Sequence, residues 1–400
     1  MRFSKKIEAC ELSPIRKFYP YMVAAEAKGR KVLHLNIGQP DIETPPAFFK
    51  VLKEFEAKVL EYAPSPGIPV LVEAIRDYYA KIGTEYEAGD ILITTGGSEA
   101  LMILMMCILD NGSEVLIPEP FYPNYRTFVT AAGGKIVPIP TTVEEGYRYA
   151  QKERIEAQIT ENTRAIMVTN PGNPTGLVLS REELQVIVDV AIEHDLYIIG
   201  DEVYREFFYG GSGKALSLAA FPEAAQNVVL IDSVSKRFSA CGARIGCLVS
   251  KNKALMAEAM KFCQARLSVA TLDQLASAEL YNVDESYFAA VRQEYQLRRD
   301  TVLNALKKIP GVTVSNPEGA FYLMAALPVE NAEDFQLWLL NEFSHNDQTV
   351  MFAPAGSFYA TEGRGKNEIR IAYVLKKERL ERAIELLGLG LEQYPGTIRK

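Results

Sequence analysis

The sequence predicts an α/β protein built around a mostly parallel, doubly wound sheet. From about residue 90 to 250, apolar β-branched runs alternate with short loops rich in Gly, Pro, Asn and Asp and with segments of helical period. Several of the runs are apolar throughout, as strands are when helices cover both faces of their sheet. A charged amphipathic stretch at 287–309 then leads into a region of different character.

The predicted sheet has seven strands with helices between them. The helical segment "SREELQVIVDVAIEHD" opens with Ser180 as a cap, followed three residues later by Glu183. A second segment, "SEALMILMMCIL", follows the first strand. The strand runs are "ILITTG" from 91, "EVLIPEP" from 114, "KIVPIP" from 135, "AIMVTNP" from 165, "YIIGDEVY" from 197, "VVLIDSVSK" from 228 and "RIGCLVS" from 244.

The length of 400 residues predicts two domains. Residues 46–286 are expected to form the large α/β domain, and residues 287–400 a small C-terminal α+β domain. In the small domain, strands are expected near 312–326 and 368–375, and helices around 332 and 377. Residues 1–45 supply no strand for the large sheet, so we expect them to pack with the small domain.

Composition excludes several classes of function. The net charge of −8 and the lack of a polybasic run argue against a nucleic-acid partner. The densest apolar run, Ala100–Leu109, is too short to cross a bilayer and the start has no signal core, so we expect a soluble cytoplasmic protein.

Cysteine and histidine usage argues against a metal site. Five cysteines form no CxxC pair and read as buried thiols, and the three histidines show no metal-ligand spacing. The same shortage of histidine argues against a Ser-His-Asp relay. The cysteines are Cys10, Cys107, Cys241, Cys247 and Cys263.

Five loops that follow predicted strands carry the candidate site: "TTGGSEAL", "PEPFYPNY", "TNPGNPTG", "GDEVY" and "DSVSK". Ligands of open α/β sheets bind beyond the carboxyl ends of the strands. Together these loops hold the groups that a phosphorylated aromatic cofactor needs.

The first three loops supply phosphate and ring contacts. Gly97 and Ser98 begin a helix, where free N–H groups favour a phosphate, although an ordinary capped helix start has the same pattern. Tyr122 offers a flat face to an aromatic ring, or is a core tyrosine. Asn173 lies between prolines in a loop stiff enough to aim its side chain inward.

The last two loops supply charge and a nucleophile. Asp201 ends an apolar strand, where its carboxylate needs a cationic partner such as a protonated ring nitrogen, unless it is only a helix N-cap. Tyr204 could reach the same ligand. Lys236 can form an imine with an aldehyde, and Ser233 and Arg244 could hold a phosphate.

These stretches together resemble the class I/II aminotransferases of aspartate aminotransferase type, which are fold type I pyridoxal-phosphate enzymes. The resemblance extends nearly from end to end. It also includes "LNIGQPDIETP" at 35–45, "YAPSPGIPVLVEAI" at 62–75, "NPEGAFY" at 316–322 and "NEIRIAYV" at 367–374.

The resemblance implies pyridoxal 5′-phosphate as cofactor, held as an imine on Lys236, which also shuttles a proton. Asp201 is then the partner of the pyridine nitrogen. The implied phosphate contacts are Gly97, Ser98, Ser233 and Arg244, and the implied ring contacts are Tyr122, Asn173 and Tyr204.

The resemblance further implies that Arg370, helped by Gly38 and Asn173, binds the substrate α-carboxylate. Tyr62 corresponds to a tyrosine that reaches the phosphate of a neighbouring subunit, which implies a homodimer with shared sites. The implied reaction is ping-pong transfer of an amino group from an L-amino acid to a 2-oxo acid, most commonly 2-oxoglutarate.

The favoured donor is aspartate or an aromatic amino acid, and the sequence leaves the choice open. In the best-known members of the family that the chain resembles, an arginine from the partner subunit binds dicarboxylates. Gln264 aligns with that arginine, and Arg266 two residues away could replace it or could simply contact solvent. Alanine-type donors also remain possible. Aromatic residues expected near the pocket are Phe18, Tyr19, Phe358 and Tyr359.

Two alternatives remain. A β-lyase or decarboxylase could use the same cofactor and fold. A non-enzymatic ligand sensor is less favoured, because it would usually add a basic DNA-binding domain.

Overall fold

The computed structural model describes residues 2–211 and 213–399. The helices are α1 Lys5–Glu8, α2 Tyr19–Ala27, α3 Pro46–Lys53, α4 Pro69–Ala80, α5 Gly96–Ile108, α6 Asn124–Ala132, α7 Lys152–Glu156, α8 Arg181–Glu193, α9 Val234–Arg237, α10 Lys253–Arg266, α11 Thr271–Leu280, α12 Glu285–Leu306, α13 Ala332–Asn341 and α14 Lys377–Gln393. The strands are β1 Lys31–His34, β2 Ile91–Thr94, β3 Glu114–Pro118, β4 Lys135–Ile139, β5 Thr163–Thr169, β6 Tyr197–Asp201, β7 Val228–Ser233, β8 Gly246–Val249, β9 Thr313–Val314, β10 Tyr322–Ala326, β11 Gln348–Met351, β12 Ala353–Pro354 and β13 Glu368–Ala372.

The main sheet has seven strands in the order β2-β8-β7-β6-β5-β3-β4. All pairs are parallel except those of β8, which is antiparallel to both β2 and β7. The prediction of a mostly parallel seven-stranded sheet is therefore confirmed. Because β3, β5, β6 and β7 run the same way, the loops after them meet at one edge.

Both faces of the main sheet are buried. Neighbouring residues along a strand alternate between two apolar clusters, as Ile198 and Ile199 of β6 do. Helices α4 and α8 contribute to the cluster on one face, and α5, α6 and α10 to the other. The uniformly apolar strand runs follow from this double coverage.

Helix α8 shows how local sequence sets an element. The Ser180 hydroxyl accepts the Glu183 N–H at 3.2 Å, and the Glu183 carboxylate accepts the Ser180 N–H at 2.8 Å. This reciprocal capping box satisfies two N–H groups that the helix itself leaves unpaired, and such a cap stabilises a helix by about 1 kcal/mol. The cap predicted from the sequence is confirmed.

A second region contains an antiparallel sheet in the order β12-β13-β10-β9 and the parallel pair β1-β11. Helices α12 and α14 pack on each other beside it, and α2 packs on α13. The helix expected at 287–309 runs instead from Glu285 to Leu306, so the expected boundary at 286 falls in its first turn.

The N-terminal segment divides its contacts between the two regions. Strand β1 pairs with β11, but α1 lies on α6 beside the main sheet. There the Lys6 amine donates to the carbonyl of Ala132 at 3.3 Å, and Cys10 Sγ lies 4.0 Å from the carbonyl of Thr127. The expectation that residues 1–45 pack with the small domain is thus wrong for α1.

The five cysteines are free thiols. Cys247 and Cys263 are buried as expected, whereas Cys10, Cys107 and Cys241 are half-buried. No helix within the described ranges has the length and apolar character needed to cross a membrane.

Candidate active site

Lys236 lies in the short helix α9, directly after the carboxyl end of β7. Its Nζ donates to the carbonyl of Gly38 at 2.9 Å and lies 3.7 Å from Cys241 Sγ. The Ser233 hydroxyl caps α9 by accepting the Ser235 N–H at 3.0 Å. The small residues of "SVSK" thus form a tight turn that directs a half-buried amine toward the N-terminal segment.

Asp201 ends β6 and is 7% exposed. Its Oδ2 accepts a hydrogen bond from the Tyr125 hydroxyl at 2.5 Å, and its Oδ1 accepts the Val203 N–H at 3.4 Å. Burial raises the pKa of Asp201 to about 6, and the bond from Tyr125 partly opposes that rise. Tyr125 was not selected from the sequence, although "FYPNY" contains it three residues after Tyr122.

A hydrogen-bonded network joins the predicted ring contacts to the predicted substrate clamp. The Asn173 side-chain amide donates to the Tyr204 hydroxyl at 3.5 Å, while its oxygen accepts from Arg370 Nη1 at 3.0 Å. The Tyr204 and Tyr322 hydroxyls are 3.0 Å apart. Tyr322 is a second residue that sequence reasoning did not single out, although the quoted stretch "NPEGAFY" ends on it.

Arg370 projects from β13 and is 2% exposed. Its Nη2 donates to the carbonyl of Asn36 at 2.7 Å, and its guanidinium lies 4.5 Å from the ring centroid of Tyr322 and 5.2 Å from that of Phe358. Nε has no hydrogen-bond partner, and none of the ion pairs among residues 2–211 and 213–399 involves Arg370. A buried guanidinium without an acid fits a carboxylate ligand.

Gly38 brings the N-terminal stretch over the lysine. A Cβ atom at this position would lie 1.8 Å from the Tyr322 hydroxyl oxygen and 2.4 Å from its ring. Only glycine therefore lets the chain pass close enough for the Gly38 carbonyl to accept from Lys236.

The predicted phosphate contacts gather where α5 begins. Gly97 and Ser98 lie in its first turn. A Cβ at Gly96 would lie 2.5 Å from Arg244 Nη2, so the guanidinium packs directly on this helix start. Arg244 is exposed, has φ 53° and donates to the carbonyl of Cys241 at 3.0 Å. Arg244 precedes β8, which begins at Gly246, whereas the sequence predicted that it lies in the strand.

The remaining predicted cofactor contacts have different surroundings. They are Ser233, Tyr122 and Tyr62. The buried Ser233 hydroxyl lies 3.0 Å from the carbonyl of Ile245 and is engaged within its own turn. Tyr122 is half-buried and its ring meets that of Tyr125 edge-on at 5.4 Å. Tyr62 is 82% exposed, in the segment before α4. The hydrogen bonds and ring contacts recorded for the described ranges do not connect it to Lys236.

The two residues considered for substrate selection lie in the last turn of α10. Gln264 is exposed on α10. Arg266 Nη2 donates to the carbonyls of Ser65 at 3.2 Å and Ile93 at 3.3 Å, and its Nε lies 3.7 Å from a Glu99 carboxylate oxygen.

The aromatic residues expected near the pocket have different surroundings. Phe18 is buried in a separate cluster that also holds Met22 and Met351, and Tyr19 is 63% exposed. Phe358 does lie against Arg370. Beside it, the Tyr359 hydroxyl donates to Glu368 at 2.6 Å.

One histidine does lie near carboxylates. The ligand atoms of Glu156, Glu193 and His194 all fall within 4.8 Å of one another. The Lys152 amine lies 2.5 Å from Glu193 and 3.6 Å from Glu156, so this surface cluster already contains its own cation. Glu193 and His194 precede the amino end of β6, whereas Asp201 stands at its carboxyl end.

The fold and this arrangement of lysine, buried aspartate and acid-free arginine fit one class of protein, an enzyme that transfers amino groups. The model of the family "Aminotransferase class I and II" matches residues 30–387. The chain therefore belongs to the class I and II aminotransferase family and is an aminotransferase, and the resemblance predicted from its motifs is confirmed.

Similar proteins carry related names. The chain is 33% identical over 378 residues to a probable aspartate/prephenate aminotransferase of Aquifex aeolicus, covering 92% of this chain and 93% of the relative. It is 31% identical over 400 residues to an aromatic-amino-acid aminotransferase of Thermococcus litoralis, covering 98% and 99%. An aspartate aminotransferase structure from Thermotoga maritima matches with a TM-score of 0.88 at 27% identity, covering 98% of this chain and 100% of that one.

Proposed function

We propose that this aminotransferase uses pyridoxal 5′-phosphate to move an amino group from aspartate or an aromatic L-amino acid to a 2-oxo acid. The expected acceptor is 2-oxoglutarate, and the expected kinetics are ping-pong. The observation that carries the proposal is that one N-terminal stretch contacts both cations: the Lys236 amine donates to the carbonyl of Gly38, and the acid-free Arg370 donates to the carbonyl of Asn36.

The residues present fit the cofactor. Arg244 and the first turn of α5 form a cationic cradle that a side chain at Gly96 would fill, which suits a phosphate. Gly97, Ser98 and Ser233 complete that cradle in the proposal. When bound, pyridoxal phosphate supplies an electron-accepting ring that stabilises negative charge on the substrate α-carbon.

Four side chains would hold the cofactor ring. Asp201, a buried carboxylate with a raised pKa, suits a protonated ring nitrogen because that cation offsets the cost of burying the charge. The donors of Asn173 and Tyr204 suit a phenolic oxygen, and Tyr122 suits stacking. These roles belong to the proposal.

Lys236 would carry the proton. Its Nζ donates to the Gly38 carbonyl, and Gly38 packs against Tyr322, whose ring lies beside the Arg370 guanidinium. We therefore expect the amine to reach the α-carbon of a substrate held by Arg370. General-base transfer by a positioned amine contributes roughly 10²- to 10⁴-fold to a rate.

Arg370 would bind the α-carboxylate of both substrates. Its guanidinium is fixed by Asn36 and Asn173 before any ligand arrives, and its Nε is free of hydrogen-bond partners. A fixed planar fork loses little freedom on binding a carboxylate. The same clamp can serve the amino donor and the 2-oxo acceptor in turn, as ping-pong kinetics require.

The preference for the side chain of the amino donor is proposed from the names of the relatives and from the contacts of Arg266 on α10. Relatives named for aspartate and for aromatic amino acids are both similar to this chain. Arg266 lies near Glu99 and donates to backbone carbonyls, so its charge is already partly balanced. A donor panel is therefore needed to choose between the two classes.

We also propose a homodimer. Exposed apolar side chains lie on α3, the 59–62 segment, α4, α5 and α10. Helix α11 packs on α3 and α4, and its Thr271 hydroxyl donates to the carbonyl of Glu61, while α4, α5 and α10 all contact β2. They include Phe49, Val59, Leu60, Tyr62, Val70, Met102, Met106 and Phe262. Sedimentation should give twice the chain mass at micromolar protein, and a monomer there would contradict the proposal.

The domain division at residues 45 and 286 and a cytoplasmic location remain parts of the proposal. They rest on the separate sheets and apolar clusters of the two regions and on the composition of the chain. Limited proteolysis that yields no stable fragment ending near 286 would count against the division.

A half-reaction assay tests the function. Protein loaded with pyridoxal phosphate is mixed with one amino acid at a time and no acceptor, and the bound cofactor's absorbance and the released products are followed. We expect one equivalent of 2-oxo acid per site, formed fastest with aspartate or an aromatic donor. Continuous release of pyruvate and ammonia from a β-substituted donor would instead establish a β-lyase.

A further inference from the structure

Two side chains that carry no role in the proposed function, Tyr125 and Thr169, form a chain of hydrogen bonds that ends on Asp201. Thr169 and Asp201 are opposite each other in the parallel pairing of β5 and β6, so both stand at the carboxyl edge of the sheet. Tyr125 reaches them from α6 and is 1% exposed. Its hydroxyl oxygen lies 2.5 Å from Asp201 Oδ2 and 2.9 Å from Thr169 Oγ1.

The direction of these hydrogen bonds follows from counting hydrogens. A tyrosine hydroxyl has one hydrogen, and here it is donated to the carboxylate. Thr169 must then donate its own hydrogen to the Tyr125 oxygen. Two donations in series point at Asp201, and each polarises the next.

We propose that Tyr125, supported by Thr169, is a positioning residue that holds the Asp201 carboxylate charged and correctly oriented for a protonated ring nitrogen. This inference rests on the proposed function, because it gives Asp201 the role stated there.

The charged and titratable groups around Asp201 fix the expected direction of change. Burial has the largest effect and raises the pKa of Asp201, and the Tyr125 hydrogen bond is the largest contribution that lowers it. Asp232 on β7 raises the pKa further, and Lys236 on α9 lowers it. Tyr204 also faces the carboxylate. Removing the Tyr125 hydroxyl should therefore move the pKa of Asp201 upward.

The sign of the stability effect follows. The pKa of Asp201 in the folded protein, about 6, lies above that of an unfolded aspartate. Its contribution to the stability of the cofactor-free protein is therefore fully present below about pH 4 and is lost as pH rises through about 6. Loss of the Tyr125 hydroxyl should extend that decline to higher pH.

The test compares wild type with Tyr125→Phe. In cofactor-free protein labelled with ¹³C-carboxyl aspartate, the Asp201 resonance is assigned by its loss in Asp201→Asn and is titrated by NMR. We expect its midpoint to be higher in Tyr125→Phe. At pH 7, the dissociation constant of pyridoxal phosphate should rise by roughly 10-fold, as expected for loss of a hydrogen bond to a charged group.

Two further variants keep the test decisive. Tyr373→Phe removes another buried hydroxyl, which donates to the carbonyl of Ala320 at 3.3 Å, and should leave both readouts at wild-type values. Thr169→Val should move both in the same direction as Tyr125→Phe but less, and it replaces that variant if Tyr125→Phe does not fold.

An unchanged Asp201 titration in a folded Tyr125→Phe or Thr169→Val variant would overturn the inference, because the tyrosine would then only fill space. The proposed function fails in a different way. If Asp201→Asn binds the cofactor as tightly as wild type, Asp201 is not the ring partner and the inference falls with that role, even if Tyr125→Phe still shifts the titration.

Discussion

The two arginines proposed to bind the substrate carboxylate and the cofactor phosphate, Arg370 and Arg244, have different surroundings in the structure. Arg370 is 2% exposed and fixed by Asn36 and Asn173. Arg244 is exposed, has a left-handed backbone conformation, and donates to the carbonyl of Cys241. The proposed substrate clamp is thus fixed by the fold of the single chain, whereas the proposed phosphate side is open to solvent.

The largest expected effect is on the proposed substrate clamp. Arg370→Gln should lower kcat/KM by roughly 10²- to 10³-fold, because truncating a buried, hydrogen-bonded charge costs about 2–5 kcal/mol. The affinity for pyridoxal phosphate should stay unchanged. Steady-state kinetics and a cofactor titration measure both, with Arg299→Gln on α12 as a control that keeps wild-type values. An unaltered KM for both substrates would rule out the clamp.

A smaller effect is expected for Arg244, and it should fall on cofactor affinity rather than on kcat/KM. Arg244→Gln should raise the dissociation constant of pyridoxal phosphate by roughly 10- to 100-fold, since a hydrogen bond to a charged group contributes about 1.5–3 kcal/mol. With cofactor in excess, kcat should return close to wild type. If Arg244→Gln instead raises only the KM for amino acids, the two arginines are not divided as the structure suggests.

Much of the site could be predicted because its residues stand at the ends of apolar runs. Asp201 and Lys236 follow β6 and β7, and a parallel sheet brings the ends of such strands to one edge. The capping box of α8 was equally local. These features depend on short stretches of sequence, so they could be predicted from one amino-acid sequence.

The features that sequence reasoning missed depend on tertiary packing. Tyr125 and Tyr322 look like core tyrosines, and only the approach of α6 and β10 to the sheet edge gives their hydroxyls partners. The expectation that Phe18 and Tyr19 line the pocket stays a prediction, because aromatic character does not tell which surface a residue faces. Arg244 was assigned to a strand because hydrophobic pattern does not reveal a positive φ.

The most direct test of the account is the location of the covalent cofactor link. Protein loaded with pyridoxal phosphate is reduced with borohydride, digested and mapped by mass spectrometry, beside Lys236→Ala and the control Lys253→Ala, whose wild-type amine pairs with Glu87 and Asp90. The account predicts the label on Lys236 in wild type and in the control, and no site-specific label in Lys236→Ala. A label that persists at another lysine in Lys236→Ala, with activity retained, would contradict it.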